Sequence, residues 1–127
     1  MIRGIHHVQL TVPRGKEADA REFYCEFLGF PEIAKPASLL GRGGLWVMAG
    51  DRPVHIGVEE GVDRSATKAH IAYEVENLSR WKEKLAGRGI AAMQGIPIPG
   101  WNRFEFRDPF GNRVEFLERA GENAGEG

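Results

Sequence analysis

Three histidines and one glutamate, His7, His55, His70 and Glu115, carry the chemistry this chain can offer. Imidazole and carboxylate are the groups a first-row divalent metal selects. Two histidines and one carboxylate leave coordination positions open for substrate, which Lewis-acid catalysis needs. His55 could instead move a proton, because imidazole titrates near neutrality.

Which way these side chains point depends on the elements that carry them. His7-Val8-Gln9-Leu10-Thr11-Val12 alternates, with Val8, Leu10 and Val12 on one face. His70-Ile71-Ala72-Tyr73-Glu74-Val75 alternates in the same register. Period-two alternation is the mark of a half-buried strand. Each segment leads into an amphipathic pattern that predicts a helix, about Lys16–Leu28 and about Leu78–Arg88. Gly29 stops the first, and Gly87 or Gly89 the second. Short strands follow, at about 32–36, 44–49 and 54–58, and again at 90–94, 103–107 and 113–118. Asp108-Pro109-Phe110-Gly111-Asn112 marks a tight turn between the last two. The order is therefore βαβββ twice, in modules 1–60 and 68–118 of a single domain, 1–120. Residues 121–127, small or acidic, are expected to form a flexible tail. The fold class is α+β: two modules forming a curved, partly closed mixed sheet with helices outside.

Successive strand residues face opposite ways. With the apolar sets turned to the helices, His7, Gln9 and Thr11 take the concave side. So do His70, His55 (between Val54 and Ile56) and Glu115 (between Val114 and Phe116). His7 then corresponds to His70, and His55 to Glu115, at separations of 48 and 45 residues. His6 points the other way, toward the surface or the helices. Trp46 and Met48 alternate with Leu45 and Val47, and line either a pocket or the core. Arg103 and Glu105 share a face opposite Phe104 and Phe106, as substrate contacts or as an exposed ion pair. Glu115 has Arg103 and Arg113 as alternative partners. Pro97, Pro99, Gly100 and Trp101 form a loop that closes the cavity mouth or merely connects strands.

At 127 residues, roughly two-thirds of the unfolded surface is buried on folding, so no staple is required. A net charge of −1 implies no broad attraction to nucleic acid or anionic membrane. No apolar run approaches the roughly 18 residues of a membrane helix. The single cysteine, Cys25, excludes an intramolecular disulfide and is compatible with a cytoplasmic location. Gly41-Arg42-Gly43-Gly44 lacks a following helix and fits a hairpin turn better than a phosphate loop.

The chain resembles the vicinal oxygen chelate superfamily of glyoxalase, bleomycin-resistance and extradiol-dioxygenase proteins. The resemblance spans residues 1–118. It rests on residues 5–12, on Ala20–Tyr24 with Leu28-Gly29-Phe30, on residues 69–75 and, most specifically, on residues 108–116. It implies metal ligands at His7, His70 and Glu115 for a divalent ion (Zn, Ni, Fe, Mn or Co). His55 is a possible fourth ligand or, with Glu105, a catalytic proton-transfer group. Gln9, Trp46, Met48, Trp101 and Arg103 are the expected substrate contacts. Glyoxalase I enzymes commonly carry Glu where this chain has His55, which weighs against a strict glyoxalase I reading. The implied activity is lyase, isomerase or thiol-transferase chemistry on a small oxygen-chelating substrate. The alternatives are single-domain ring-cleaving dioxygenation and non-catalytic ligand binding of the bleomycin-resistance kind. The resemblance also implies a homodimer.

Overall fold

The computed structural model describes residues 1–121. It divides into two units, Met1–Val62 and Asp63 onward. The expected tail falls mostly on residues 122–127, outside the described residues.

The first unit begins with β1 (Val8–Val12) and α1 (Glu17–Arg21), continues through β2 (Glu32–Ile33) and a 3₁₀ turn (Ala37–Arg42), and ends with β3 (Leu45–Ala49) and β4 (Arg52–Val58). Its strands pair in the order β1-β4-β3-β2. The β1–β4 pairing is parallel and the others antiparallel. The predicted helix starts where expected but changes register. Glu22–Phe27 is π-helical, and the Leu28 N–H donates to the Phe23 carbonyl at 2.9 Å. The widened turn accommodates a run of aromatics that periodicity alone does not resolve. Phe23, Tyr24 and Ala20 are fully buried, as are Val12, Val47, Val54 and Ile56 of the sheet. A Cβ on Gly44 would stand 2.2 Å from the Ile56 carbonyl oxygen, so only glycine lets β3 start this close to β4.

The second unit contains β5 (His70–Glu74), α2 (Leu78–Gly87), β6 (Trp101–Arg107) and β7 (Arg113–Arg119). The strands pair in the order β5-β7-β6, with β5–β7 parallel and β6–β7 antiparallel. The expected strand at 90–94 is reduced to one bridge, Met93 with Glu105. Gly95, Pro97 and Pro99 follow at once, and proline has no N–H to extend a ladder. The expected turn at 108–112 is closed by Asp108. Its carboxylate accepts from the Phe110 and Asn112 backbone N–H groups at 2.9 and 2.8 Å, while Gly111 takes φ 97°. That turn fixes the β6–β7 register.

The architecture is the expected α+β type, with the strands of each unit forming their own mixed sheet. Among the described residues no helix is long and apolar enough to cross a membrane.

Phe116 is the hub of the second core. Its ring meets Phe106, Trp81, Phe104 and Tyr73 at centroid distances of 5.0, 5.4, 6.0 and 6.2 Å. Phe116→Ala is expected to lower unfolding free energy by about 3–5 kcal/mol. Denaturant titration checks this; a loss below about 1 kcal/mol would contradict the packing described.

Candidate metal centre and adjoining cavity

In both units the first and last strands are parallel neighbours, and the register is the same. Gln9 pairs with His55 in the first unit, and Ala72 pairs with Glu115 in the second. The residue two places earlier, His7 or His70, therefore lies diagonal to His55 or Glu115. The third strand adds a matched neighbour: Trp46 opposite His55, and Glu105 opposite Glu115. The two sets are equivalent in position and different in chemistry.

In the second unit the set is polar. One ligand atom from each of His70, Glu105 and Glu115 lies within 4.8 Å of the others. His70 Nδ1 lies 2.8 Å from the Lys68 carbonyl, and Nε2 lies 2.9 Å from Glu115 Oε1. A carbonyl only accepts, so Nδ1 carries a proton and donates it. Nε2 can lie this close to a carboxylate oxygen only with a proton or a metal cation between the two. A hydrogen-bonded Nδ1–H is the usual orienting device for a metal-bound imidazole. His70 and Glu115, with Glu105 beside them, are the residues that would hold a divalent cation here, through an imidazole nitrogen and carboxylate oxygens. Glu115 is buried at 6 % exposure, where a bare carboxylate is costly and a cation repays it.

Glu105 and Glu115 stand directly opposite each other, a repulsive arrangement on a sheet. Two guanidinium groups offset it. Arg113 lies 2.7 Å from Glu105, and Arg103 Nη1 lies 3.2 Å from Glu105 and 3.4 Å from Glu115 Oε2. The hydrogen bond from Arg113 is the main reason the Glu105 carboxyl is held below its ordinary titration range, against the opposing effect of burial. Glu105 is therefore a weak base, which reduces its fitness for proton transfer. Arg103 and Glu105 form an ion pair that is largely buried rather than exposed, and Arg103 also lines a cavity.

In the first unit the equivalent set is aromatic. The His55 ring stacks on Trp46 at 3.8 Å and on His7 at 4.0 Å. Burial, then the neighbouring His7, His6 and Lys35, push the His55 imidazole below its ordinary range. His7 lies just before β1 rather than within it. His6 was expected to point away, yet its Nδ1 is 3.0 Å from His7 Nδ1 and it lines the same cavity of about 410 Å³. Outside the strand, the alternation rule no longer separates the two neighbours. Gln9 and Trp46 line this cavity as expected, and Met48 does not. Lys35, which follows β2, and Arg42, which ends the 3₁₀ turn, line it as well. Trp101 and Arg103 border a separate cavity with Leu78 and Lys82 of α2, and the Arg119 guanidinium covers the Trp101 ring at 4.5 Å.

A family model described as the Glyoxalase/Bleomycin resistance protein/Dioxygenase superfamily matches residues 4–116, and the chain belongs to that superfamily. A protein of Bacillus anthracis assigned to the glyoxalase family is 42 % identical, with TM-score 0.85, over 94 % of this chain and 97 % of that one. A glyoxalase/dioxygenase of Nostoc punctiforme shares the fold at 22 % identity and TM-score 0.75, over 94 % and 92 % of the two chains. The fosfomycin resistance protein FosX of Listeria monocytogenes, solved with Mn(II) and sulfate, does so at 17 % identity and TM-score 0.73, over 98 % and 96 %. Among curated proteins none matches.

The His55 shift has a thermodynamic consequence. Its folded-state pKa lies below the ordinary value of about 6.5, so the unfolded chain takes up the proton first as pH falls. Stability of metal-stripped protein is expected to fall as pH drops below that value. His55→Gln should flatten the dependence between pH 7.5 and 5.5, read from denaturant midpoints. An unchanged slope would show that His55 is not the group responsible.

Proposed function

We propose that this chain is a metal-dependent enzyme of the glyoxalase/dioxygenase superfamily, acting on a small oxygen-chelating substrate by lyase, isomerase or thiol-transferase chemistry. The observation that carries the reading is the His70–Glu115 pair at 2.9 Å, with His70 oriented through the Lys68 carbonyl. His7 is the third ligand, at the position the resemblance assigns it. The ion is Zn, Ni, Fe, Mn or Co. FosX, which shares the fold, crystallised with Mn(II). When bound, the metal supplies Lewis-acid stabilisation of negative charge developing on a substrate oxygen.

The protein's own groups do the rest. His70 and Glu115 would hold the ion, with Arg103 engaging the second oxygen of Glu115. His55, favoured as neutral imidazole by burial, is the better proton acceptor; Glu105, tied to two guanidinium groups, orders the site. Gln9 and Trp46 contact the substrate from the first unit's cavity. The functional unit is a homodimer, as the resemblance implies.

Elemental analysis of protein purified without chelator tests the reading. About one transition-metal ion per chain is expected. His7→Ala, His70→Ala and Glu115→Gln should each weaken metal affinity by more than the roughly 10–100-fold that loss of an outer-shell partner costs. Zinc, nickel, cobalt or manganese fits the lyase, isomerase or transferase reading, whereas iron with oxygen-dependent ring opening would replace it with dioxygenation. Metal-free protein that binds no ion on titration would leave only a ligand-binding role.

A further inference from the structure

The first unit's cavity carries a charge pattern that the metal reading does not use. Lys35 and Arg42 both line it, together with His6, His7, Gln9 and Trp46, and no carboxylate is among the described residues that line it. The two cations reach it by different routes. Lys35 follows β2, and Arg42 ends the 3₁₀ turn that leads into the two-glycine step at Gly43 and Gly44. The Lys35 ammonium donates to the Gly43 carbonyl, which anchors it at the cavity wall. An ammonium has three N–H donors, so the anchored group retains others for a ligand. Glu17, the carboxylate nearest this turn in the contacts described, accepts from the Gly44 N–H at 3.4 Å and is not part of the lining. The volume of about 410 Å³ suits a small molecule and not a polymer.

We infer that this cavity binds the anionic oxyacid group of a small substrate, a phosphonate, phosphate or carboxylate, through Lys35 and Arg42. Cationic side chains converging on a cavity wall without a counter-charge focus a positive potential there. Charge-assisted hydrogen bonds from ammonium and guanidinium supply the affinity. His7 lines the same cavity, so the inference rests on the proposed function and deepens it by naming the substrate class, a small oxyanion.

The test uses the full chain after metal removal, so that it does not depend on the metal site. Inorganic phosphate and methylphosphonate are titrated by calorimetry, with neutral trimethyl phosphate as control. Saturable binding of the anions is expected, with none of the neutral ester. Lys35→Met and Arg42→Met should each weaken it roughly tenfold, and Lys35→Arg should restore most of it. Arg42 is exposed, so its variant is expected to fold even if Lys35→Met does not. Absence of saturable anion binding, equal binding of trimethyl phosphate, or affinity unchanged in Arg42→Met would overturn the inference. Elemental analysis reads the metal site separately, so failure of either idea is recognised by itself.

Discussion

The parallel pairing of the first and last strand in each module is the constraint from which the site follows. Parallel neighbours cannot be joined by a tight turn, so everything between β1 and β4, or between β5 and β7, must leave the sheet and return. In both modules the return lands in one register, with Gln9 against His55 and Ala72 against Glu115. Residues far apart in sequence become diagonal neighbours by backbone hydrogen bonding alone. One diagonal juxtaposes His70 with Glu115, and the other stacks His7 on His55. A slip of one residue would turn Glu115 to the helix side and bring Val114 or Phe116 into its place.

That geometry is shared, but its chemistry has diverged. In the second module the last strand is flanked by His70 and Glu105, so the cluster is ionic and depends on Arg103 and Arg113 for balance. In the first module the equivalent strand is flanked by aromatic rings, and its charge lies farther out, on Lys35 and Arg42. One module is built to present a carboxylate, the other to present flat rings and cationic donors. A duplicated scaffold permits this because the backbone ladder fixes position without dictating side-chain type.

Alternation and turn chemistry made the strands that bear His55, His70 and Glu115 legible, since these sit inside β4, β5 and β7, where the two-residue period holds. The same rule did not separate His6 from His7, which precede β1: His7 lines the cavity as expected, and the exposed His6 lines it as well. The π-helical turn at Glu22–Phe27 and the collapse of the 90–94 strand to one bridge were illegible for another reason. Both are set by packing and by hydrogen bonds to distant partners, which a local pattern does not contain. Lys35 and Arg42 could not be placed, because an irregular segment carries no period from which a direction can be inferred.

Arg103 shows how far the arrangement around Glu115 is over-determined. Its Nη2 and Nε donate to the Ile96 carbonyl at 2.7 and 3.0 Å, while Nη1 faces Glu105 and Glu115. A Cβ on Gly95 would come within 2.6 Å of the guanidinium, so a larger residue there would displace Arg103 from this position. A lysine could not reproduce this, because a single ammonium cannot span a carbonyl on one side and two carboxylates on the other. The segment that lost its strand thus gains a different role. Its backbone anchors the guanidinium, the guanidinium engages Glu115 Oε2, and Oε1 remains directed at His70. Irregular backbone at residues 95–98 and order at the carboxylate are two ends of one interaction.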